Sequence, residues 1–427
     1  MTDPAVSARA AAVALIGAVL DDGLALSDLV DAPEGPLAGL SGPERARAQR
    51  LALATLRGLS RADACLKPFL RRFPPPPARD VLRLATVEMR ALGGDPHGVV
   101  NSAVGLLRAE RRTSRQAGLA NAVLRRVAET QDPAWDDLQP QRLPNWIRGR
   151  VSAAWGGRVV ARIEAAQAHP PPVDLTLRDP ATATELAADL GAEVLPTGGL
   201  RLTRPGQISA LPGYAEGRWW VQDAAAGLAA RALAVRPGET VLDLCAAPGG
   251  KTLQLAAAGA EVTALDVSNR RLARLRDNLD RTGLAAQVIA VDALAWSGGP
   301  FDAILLDAPC SATGTIRRHP DLPFAKEAAQ LKPLVALQAA LIERAAGWLK
   351  PGGRLVYCTC SLFREEGEDQ ATAALARGVG LVPTPEALDL PGVEAAWRSD
   401  EGLRLRPDYW PDRGGMDGFF IAAFRKV

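Results

Sequence analysis

Apolar residues recur at three- and four-residue spacing through most of the first 130 positions, and this period then changes twice along the chain. In the first stretch Pro4 stands at a helix start, and Ser41 is followed three residues later by Glu44, the spacing of a capping box. Segments around 60–72, 78–92, 97–108 and 114–129 also read as helices, broken by Gly93, Gly94 and Pro96. The Pro74–Pro77 run reads as a loop, and the polar stretch from Gln131 to Pro144 as a linker. The pattern predicts an all-helical domain over 1–131. From Trp146 to about Ala234 short helices mix with short strands such as VDLTLR, AEVLP and LRLT, so 144–235 is expected to form a small α+β module. Beyond 236 the alternation becomes regular: TVLDLC, EVTALDV, AQVIAVD, FDAILLD and GRLVYCTCS are apolar strands separated by helical stretches. That pattern predicts an α/β domain over 236–427, a doubly wound and mainly parallel sheet with its ligand at the carboxyl ends of the strands.

Composition adds compartment and partners to this outline. At 427 residues with 48% hydrophobic content the chain can fill two or three cores. No run of about 18 uncharged apolar residues occurs, and Asp3 followed by amphipathic patterning argues against a signal peptide, so a soluble, cytoplasmic protein without a membrane partner is expected. Five cysteines, an odd number, are expected to be reduced. The net charge is only +2, but residues 1–130 hold 18 Lys/Arg against 13 Asp/Glu. Arg108, Arg111, Arg112, Arg115, Arg125 and Arg126 crowd one stretch, which suits either phosphate contacts or a solvated helical face. Arginine outnumbers lysine 44 to 6, which fits the alanine-rich bias of a high-GC genome and makes a lysine inside a motif informative.

The chemistry concentrates at the strand ends of the last domain. LDLCAAPGGKT places a loop, Cys245, Ala246, Ala247, Pro248, Gly249 and Gly250, between a strand and a helix. A phosphate-loop reading needs a glycine where Cys245 stands, and a dinucleotide fingerprint needs a spacing that this loop lacks. What remains is a tight loop followed by Asp266 at the next strand end, where a carboxylate can accept both ribose hydroxyls, and by Asp292 at the third, placed to meet an adenine amino group. S-adenosylmethionine has a ribose and an adenine but no phosphate, and it suits such a loop. Taken singly, either aspartate could be a helix cap or a turn residue. Cys310 in DAPCSATG and Cys360 in YCTCS then fall at two further strand ends. A zinc site built from these cysteines is not expected, because no C-x-x-C pair occurs and the chain has three histidines.

LCAAPGGKT, LDAPCSATG, YCTCS and the terminal GMDGFFIA resemble the Fmu/Sun family of RNA cytosine-5 methyltransferases, across nearly the whole chain. HGVVNSAVGLLR leading into GLANAVLRRV resembles the RNA-binding domain of the NusB family, with Asn101, Asn121, Leu124 and Arg125 at matching positions, and this leader narrows the likeness to the bacterial small-subunit ribosomal RNA methyltransferase B type. The resemblance implies a Rossmann-like domain that uses S-adenosyl-L-methionine and acts, as a monomer without a metal, on carbon 5 of one cytidine in small-subunit (16S) ribosomal RNA. It further implies that Cys360 is the nucleophile, that Cys310 helps release the product, that Asp307 belongs to both catalytic and cofactor-binding sets, and that Lys251 lies between loop and active site. The chemistry requires such residues: carbon 5 of cytosine becomes nucleophilic only after a thiolate adds to carbon 6.

Methyltransferases that act on exocyclic amines use a proline-rich tetrapeptide ending in an aromatic residue, and here Cys310 occupies that place. Cys65 and Cys358 read as packing residues, Cys245 as a loop residue whose backbone matters, and Lys251 has a surface alternative at a helix N-terminus. Trp219 and Trp220 precede Gln222 and Asp223 at the expected cleft edge, and Arg317, Arg318 and His319 are placed to meet phosphate. Asp179-Pro180 departs from the family pattern, which often has asparagine there. Two other readings stay open: the same chemistry on transfer RNA, and a non-catalytic RNA-binding ribosome assembly factor.

Overall fold

The computed structural model describes residues 4–130 and 132–427, and side chains from residue 7 onward; Asp3 and Gln131 lie outside the described residues. Among the described residues nine α-helices come first: α1 (Pro4–Leu20), α2 (Leu26–Val30), α3 (Gly42–Arg57), α4 (Leu59–Leu66), α5 (Ala78–Arg90), α6 (Pro96–Ala109), α7 (Ala117–Glu129), α8 (Asn145–Trp155) and α9 (Gly157–Gln167). The capping box forms at α3, where the Glu44 carboxylate accepts from the Ser41 N–H at 2.9 Å. Leu15, Ile16, Leu51 and Leu56 make one buried cluster, and Leu82, Val99, Leu107 and Leu124 another.

This helical unit is larger than the periodicity alone places it. It comprises the described residues up to 152 together with 157–170 and 316–327, so most of α8 and all of α9 pack here and not in the α+β module. The last segment arrives from the far end of the chain: Asp321 accepts from Leu26 N–H at 2.9 Å, the carbonyl of Arg317 accepts from Arg57 at 2.7 Å, and Phe324 packs on the helical core. Arg317 is 1% exposed, which corrects its expected phosphate role; its side chain is enclosed, whereas His319 is exposed.

The second unit holds two sheets. The smaller has β1 (Val173–Leu177), β2 (Glu193–Val194), β3 (Leu200–Leu202) and β4 (Trp219–Val221) in antiparallel order β2-β3-β1-β4, with α10 (Ala183–Leu190) between β1 and β2 in sequence. Trp219 and Trp220 are 0% and 3% exposed; Trp219 packs in the core of this sheet, and Trp220 packs with Leu253, Leu272 and Leu275. Arg201, fully enclosed, grips Asp174 through two bonds of 2.6 and 2.7 Å.

The larger sheet follows α11 (Ala224–Ala232). Its strands and helices run β5 (Thr240–Leu244), α12 (Gly250–Ala257), β6 (Glu261–Asp266), α13 (Asn269–Thr282), β7 (Gln287–Ala290), β8 (Phe301–Asp307), α14 (Leu322–Ala325), α15 (Leu331–Trp348), β9 (Leu349–Thr359), α16 (Glu368–Ala376), β10 (Leu381–Pro383), β11 (Leu403–Leu405) and β12 (Phe419–Lys426), with α14 in the helical unit. The spatial order is β10-β12-β9-β8-β5-β6-β7, with β11 on β12. The five strands from β9 to β7 are parallel, as the alternation predicts. The β10–β12 edge is antiparallel, built from a terminal region with no βα periodicity to announce it. Leu305, Leu306, Val356, Tyr357, Phe420 and Ile421 are at most 1% exposed, each worth about 1.5–3 kcal/mol by burial.

Candidate active site at the strand ends

Strand pairing brings the two cysteine motifs together. In the β8–β9 register Asp307 lies opposite Cys358, and Ala308 N–H donates to the Cys358 carbonyl at 3.0 Å. The chain then continues for two or three residues on each side, and the Sγ atoms of Cys310 and Cys360 end 3.5 Å apart. Cys310 holds its proton: its hydrogen bond with Cys360, then burial, then the charges of Cys360 and Glu366 push its thiol well above the ordinary value.

Asp307 joins this pair to α12. Lys251 Nζ donates to its Oδ2 at 2.7 Å, and the Cys358 thiol approaches Oδ1 at 3.5 Å. Lys251 is 9% exposed and lies 5.1 Å from the Phe419 ring centroid, so it is not the surface lysine of the alternative reading. Burial is the largest single influence on its pKa and pulls it down, but the neighbouring acidic groups, led by Asp307 through its charge and hydrogen bond, together outweigh burial and raise the pKa overall, which keeps the ammonium charged. Cys358 is 0% exposed and held as a thiol by burial and by Asp307, in keeping with packing.

The loop between β5 and α12 is built for close backbone approach. Cys245 adopts φ +60 and Gly249 φ +110, and a Cβ on Gly249 would meet Leu275 at 2.4 Å. Cys245 is half-buried and its thiol is pushed up by burial and by neighbouring carboxylates. Ala246 N–H donates to Leu265 O at 3.1 Å, Ala247 N–H to Asp266 Oδ2 at 3.1 Å, and Ala247 O accepts from Arg271. Pro248 is exposed at the tip, Gly249 is buried, and Gly250 begins α12. Asp266 also accepts from Ser268 N–H at 2.8 Å, and Asp292 from Leu294 N–H at 2.9 Å, so both carboxylates do local turn work as well.

Asp266, Asp292 and Asp307 follow three parallel strands of one sheet, and this acidic rim repels phosphate. It suits a cofactor that carries a ribose diol and positive charge. S-adenosylmethionine fits these residues: Asp266 would hold the ribose hydroxyls, Asp292 the adenine edge, and the Cys245–Gly250 backbone the rest.

Sequence reasoning missed four participants. Glu366, Ser311 and Gln338 form a buried polar cluster behind the cysteines, and Arg271 reaches across the cofactor loop. Glu366 stands in the charged run REEGED, which reads as solvated surface.

Beneath the loop Asp243 is fully enclosed; Thr252 donates to its Oδ2 at 2.6 Å, while its Oδ1 has no hydrogen-bond partner among the described residues. Burial pushes this carboxyl up to about 7 from 3.8, against the pull of Thr252 and Lys251. A raised pKa stabilises the fold while the proton is held, so the contribution is complete below pH 3.8 and is lost as pH rises through about 7. Asp243→Asn removes that loss. The unfolding midpoint of the variant minus that of the wild type should rise between pH 5 and pH 8; a pH-independent difference would refute the assignment.

Comparison with known proteins agrees with this geometry. Residues 230–425 match the family of 16S rRNA methyltransferase RsmB/F, and residues 6–129 match the NusB family. The chain is 36% identical to a ribosomal RNA small subunit methyltransferase B of Xanthomonas campestris pv. campestris, over 99% of this chain and 98% of that one. It is 39% identical to one of Pseudomonas putida over 73% of each. A solved structure of a methyltransferase homolog protein from Pyrococcus horikoshii is 31% identical, covers 65% of this chain and 94% of that chain, and superposes with a TM-score of 0.54. With both domains matched and a relative aligned from end to end, the chain belongs to the RsmB/F family of 16S rRNA methyltransferases, in the branch that carries a NusB domain at its N-terminus.

Proposed function

We propose that this protein methylates carbon 5 of one cytidine in small-subunit (16S) ribosomal RNA, with Cys360 as covalent nucleophile and Cys310 as the group that frees the product. The observation that carries this reading is the thiol pair itself, with the two sulfurs 3.5 Å apart at adjacent strand ends. S-adenosylmethionine, the family's cofactor, supplies an electrophilic methyl group when bound.

A cytidine drawn out of the RNA stack presents its ring to the strand ends. The Cys360 sulfur adds to carbon 6, and the electrons of the 5,6 double bond move to carbon 5. Negative charge that builds at N3 is neutralised by a proton that Asp307, whose side chain is 30% exposed, relays from the Lys251 ammonium, and that proton returns when the 5,6 double bond re-forms. Once carbon 5 has taken the methyl group, the sulfur of Cys360 is a neutral thioether. The largest influence that raises the Cys310 pKa is then gone, and Cys310 can lose its proton to solvent. Its thiolate takes the proton on carbon 5; the C–H electrons restore the double bond, the C6–S bond breaks, and Cys360 leaves as thiolate. One proton is released per methyl transferred, so the step balances.

The six arginines from Arg108 to Arg126 are all exposed on and between α6 and α7, as is Asn101, and they supply the positive charge for holding RNA by its backbone. The mechanism needs reduced thiols, which suits the cytoplasm. Bisulfite sequencing of 16S rRNA from undermethylated ribosomes, before and after incubation with the protein and S-adenosylmethionine, should reveal one newly protected cytosine that Cys360→Ala fails to protect. Protection in transfer RNA alone would move the substrate. Failure on both RNAs, together with no calorimetric binding of the cofactor, would leave an RNA-binding assembly factor.

A further inference from the structure

Glu366 is 0% exposed and, among the described residues, forms no ion pair. The guanidinium that touches the same loop, Arg404, donates to the Ser361 carbonyl but is paired with Glu368 at 2.6 and 3.1 Å. A carboxylate sunk in protein without a cation is costly unless donors converge on it, and here four do. Oε1 accepts from Ser311 N–H at 2.9 Å and from Gln338 Nε2 at 3.0 Å; Oε2 accepts from the hydroxyls of Ser311 and Ser361, both at 2.5 Å. Such short O–H contacts are characteristic of a charged acceptor. The Ser361 oxygen accepts in turn from Phe363 N–H at 3.0 Å, which leaves its own proton for Glu366.

The placement of these donors gives the cluster its meaning. Ser311 follows Cys310 and Ser361 follows Cys360, so one carboxylate spans the two strand ends that carry the thiols. Its own carbonyl accepts from Tyr357 Oη at 2.7 Å and Thr359 Oγ1 at 3.1 Å, which anchors it to β9. Gln338, from α15, also donates to Pro309 O at 2.8 Å and closes the loop from the other side.

We propose that Glu366 is a positioning residue for catalysis: its buried carboxylate clamps the Cys310 and Cys360 loops at working distance and places a negative charge beside the two thiols. The proposal rests on the two-thiol mechanism above for its consequence in turnover, but the clamp itself can be read without RNA. Cys310 is faced by Cys360 and Glu366 and lies near the Tyr357 hydroxyl, with Arg404 also close to Tyr357, whereas Asp307 and Lys251 face Cys358. Of these groups Glu366 bonds to both loops, which Thr313 also joins by accepting from Leu362 N–H at 2.9 Å.

Glu366→Gln keeps the shape, since its amide oxygen can accept from Ser311 N–H and Gln338 while its NH2 donates to the two hydroxyls. It removes only the charge. Alkylation of Cys310 and Cys360 by iodoacetamide, followed by peptide mass spectrometry across pH in the full-length protein, should shift to lower pH by about one unit, the scale expected when a like charge beside a thiol is lost. In single-turnover assays the weaker Cys310 base should slow product release by about tenfold and raise the fraction of protein bound covalently to RNA. The double variant Ser311→Ala/Ser361→Ala removes two of the four donors that hold the carboxylate charged, so its alkylation profile should also move to lower pH. A shift to lower pH in both variants is the signature; no shift, or a shift to higher pH, overturns the proposal, and the serine variant alone decides it if Glu366→Gln does not fold. Were wild-type protein to form no adduct with RNA while both shifts remained, the cytosine-5 mechanism would fail and the clamp would stand.

Discussion

Cys360→Ala should abolish methylation, while Cys310→Ala should leave the enzyme trapped on its RNA. The asymmetry follows from the proton between the two sulfurs. Cys310, pushed well above the ordinary thiol value, is a poor nucleophile at neutral pH but a good acceptor once Cys360 has become a thioether. Removing Cys360 removes the attacking atom, so no activated ring forms and turnover should be undetectable. Removing Cys310 leaves attack and methyl transfer intact and takes away the base that lifts the proton from carbon 5, which should slow release by about 10²–10⁴-fold. Denaturing electrophoresis would then show a slow-migrating protein–RNA species for Cys310→Ala that is absent from both Cys360→Ala and the double variant. If Cys310→Ala lost all activity and formed no adduct, the two roles would have to be exchanged or abandoned.

The site is legible in the sequence where chemistry needs particular residues at strand ends. Period-two apolar runs separated by helical stretches place β5, β6, β7, β8 and β9 within a few residues, and parallel pairing then fixes Asp266, Asp292, Asp307, Cys310 and Cys360 along one edge of the sheet. Long-range packing is not legible. Arg317 carries the same sequence signal as any arginine after a loop, and only the packing of residues 316–327 with the helices buries it. The helices of 145–167 have ordinary amphipathic patterns that do not name the core they join. Trp219 and Trp220 are read in the sequence only as the residues before Gln222 and Asp223 at a cleft edge, and the fold buries both rings, each in a different apolar cluster. Glu366 is hidden for the same reason: its neighbours in sequence are charged, and its partners lie 5, 28 and 55 residues away.

Glycines in the motifs read as family marks in the sequence, yet their physical reason appears only in the fold, and it yields the second large effect. Gly314, in DAPCSATG, crosses Gly418, in GMDGFF, at backbone contact: Gly418 N–H donates to Gly314 O at 2.9 Å, and Gly314 N–H donates to the Cys360 carbonyl at 2.9 Å. A Cβ on Gly314 would lie 1.9 Å from the Gly418 oxygen, with backbone and not a yielding side chain on the other side. Gly314→Ala must therefore part the two loops, a kind of overpacking that costs about 1–3 kcal/mol. Because the same residue holds the Cys360 carbonyl, the displacement passes directly to the nucleophile, and an error of about 1 Å in such a position can cost on the order of 10²-fold in rate. Gly105 in α6 provides the contrast, since a Cβ there meets nothing within 4 Å, and Gly105→Ala should raise stability by about 0.5–1 kcal/mol without changing methylation. Thermal unfolding and single-turnover methylation of both variants separate the two expectations. A Gly314→Ala enzyme that is destabilised yet transfers methyl at the wild-type rate would mean that the loop crossing supports the fold and that Cys360 is held in place by Glu366 and the β9 ladder alone.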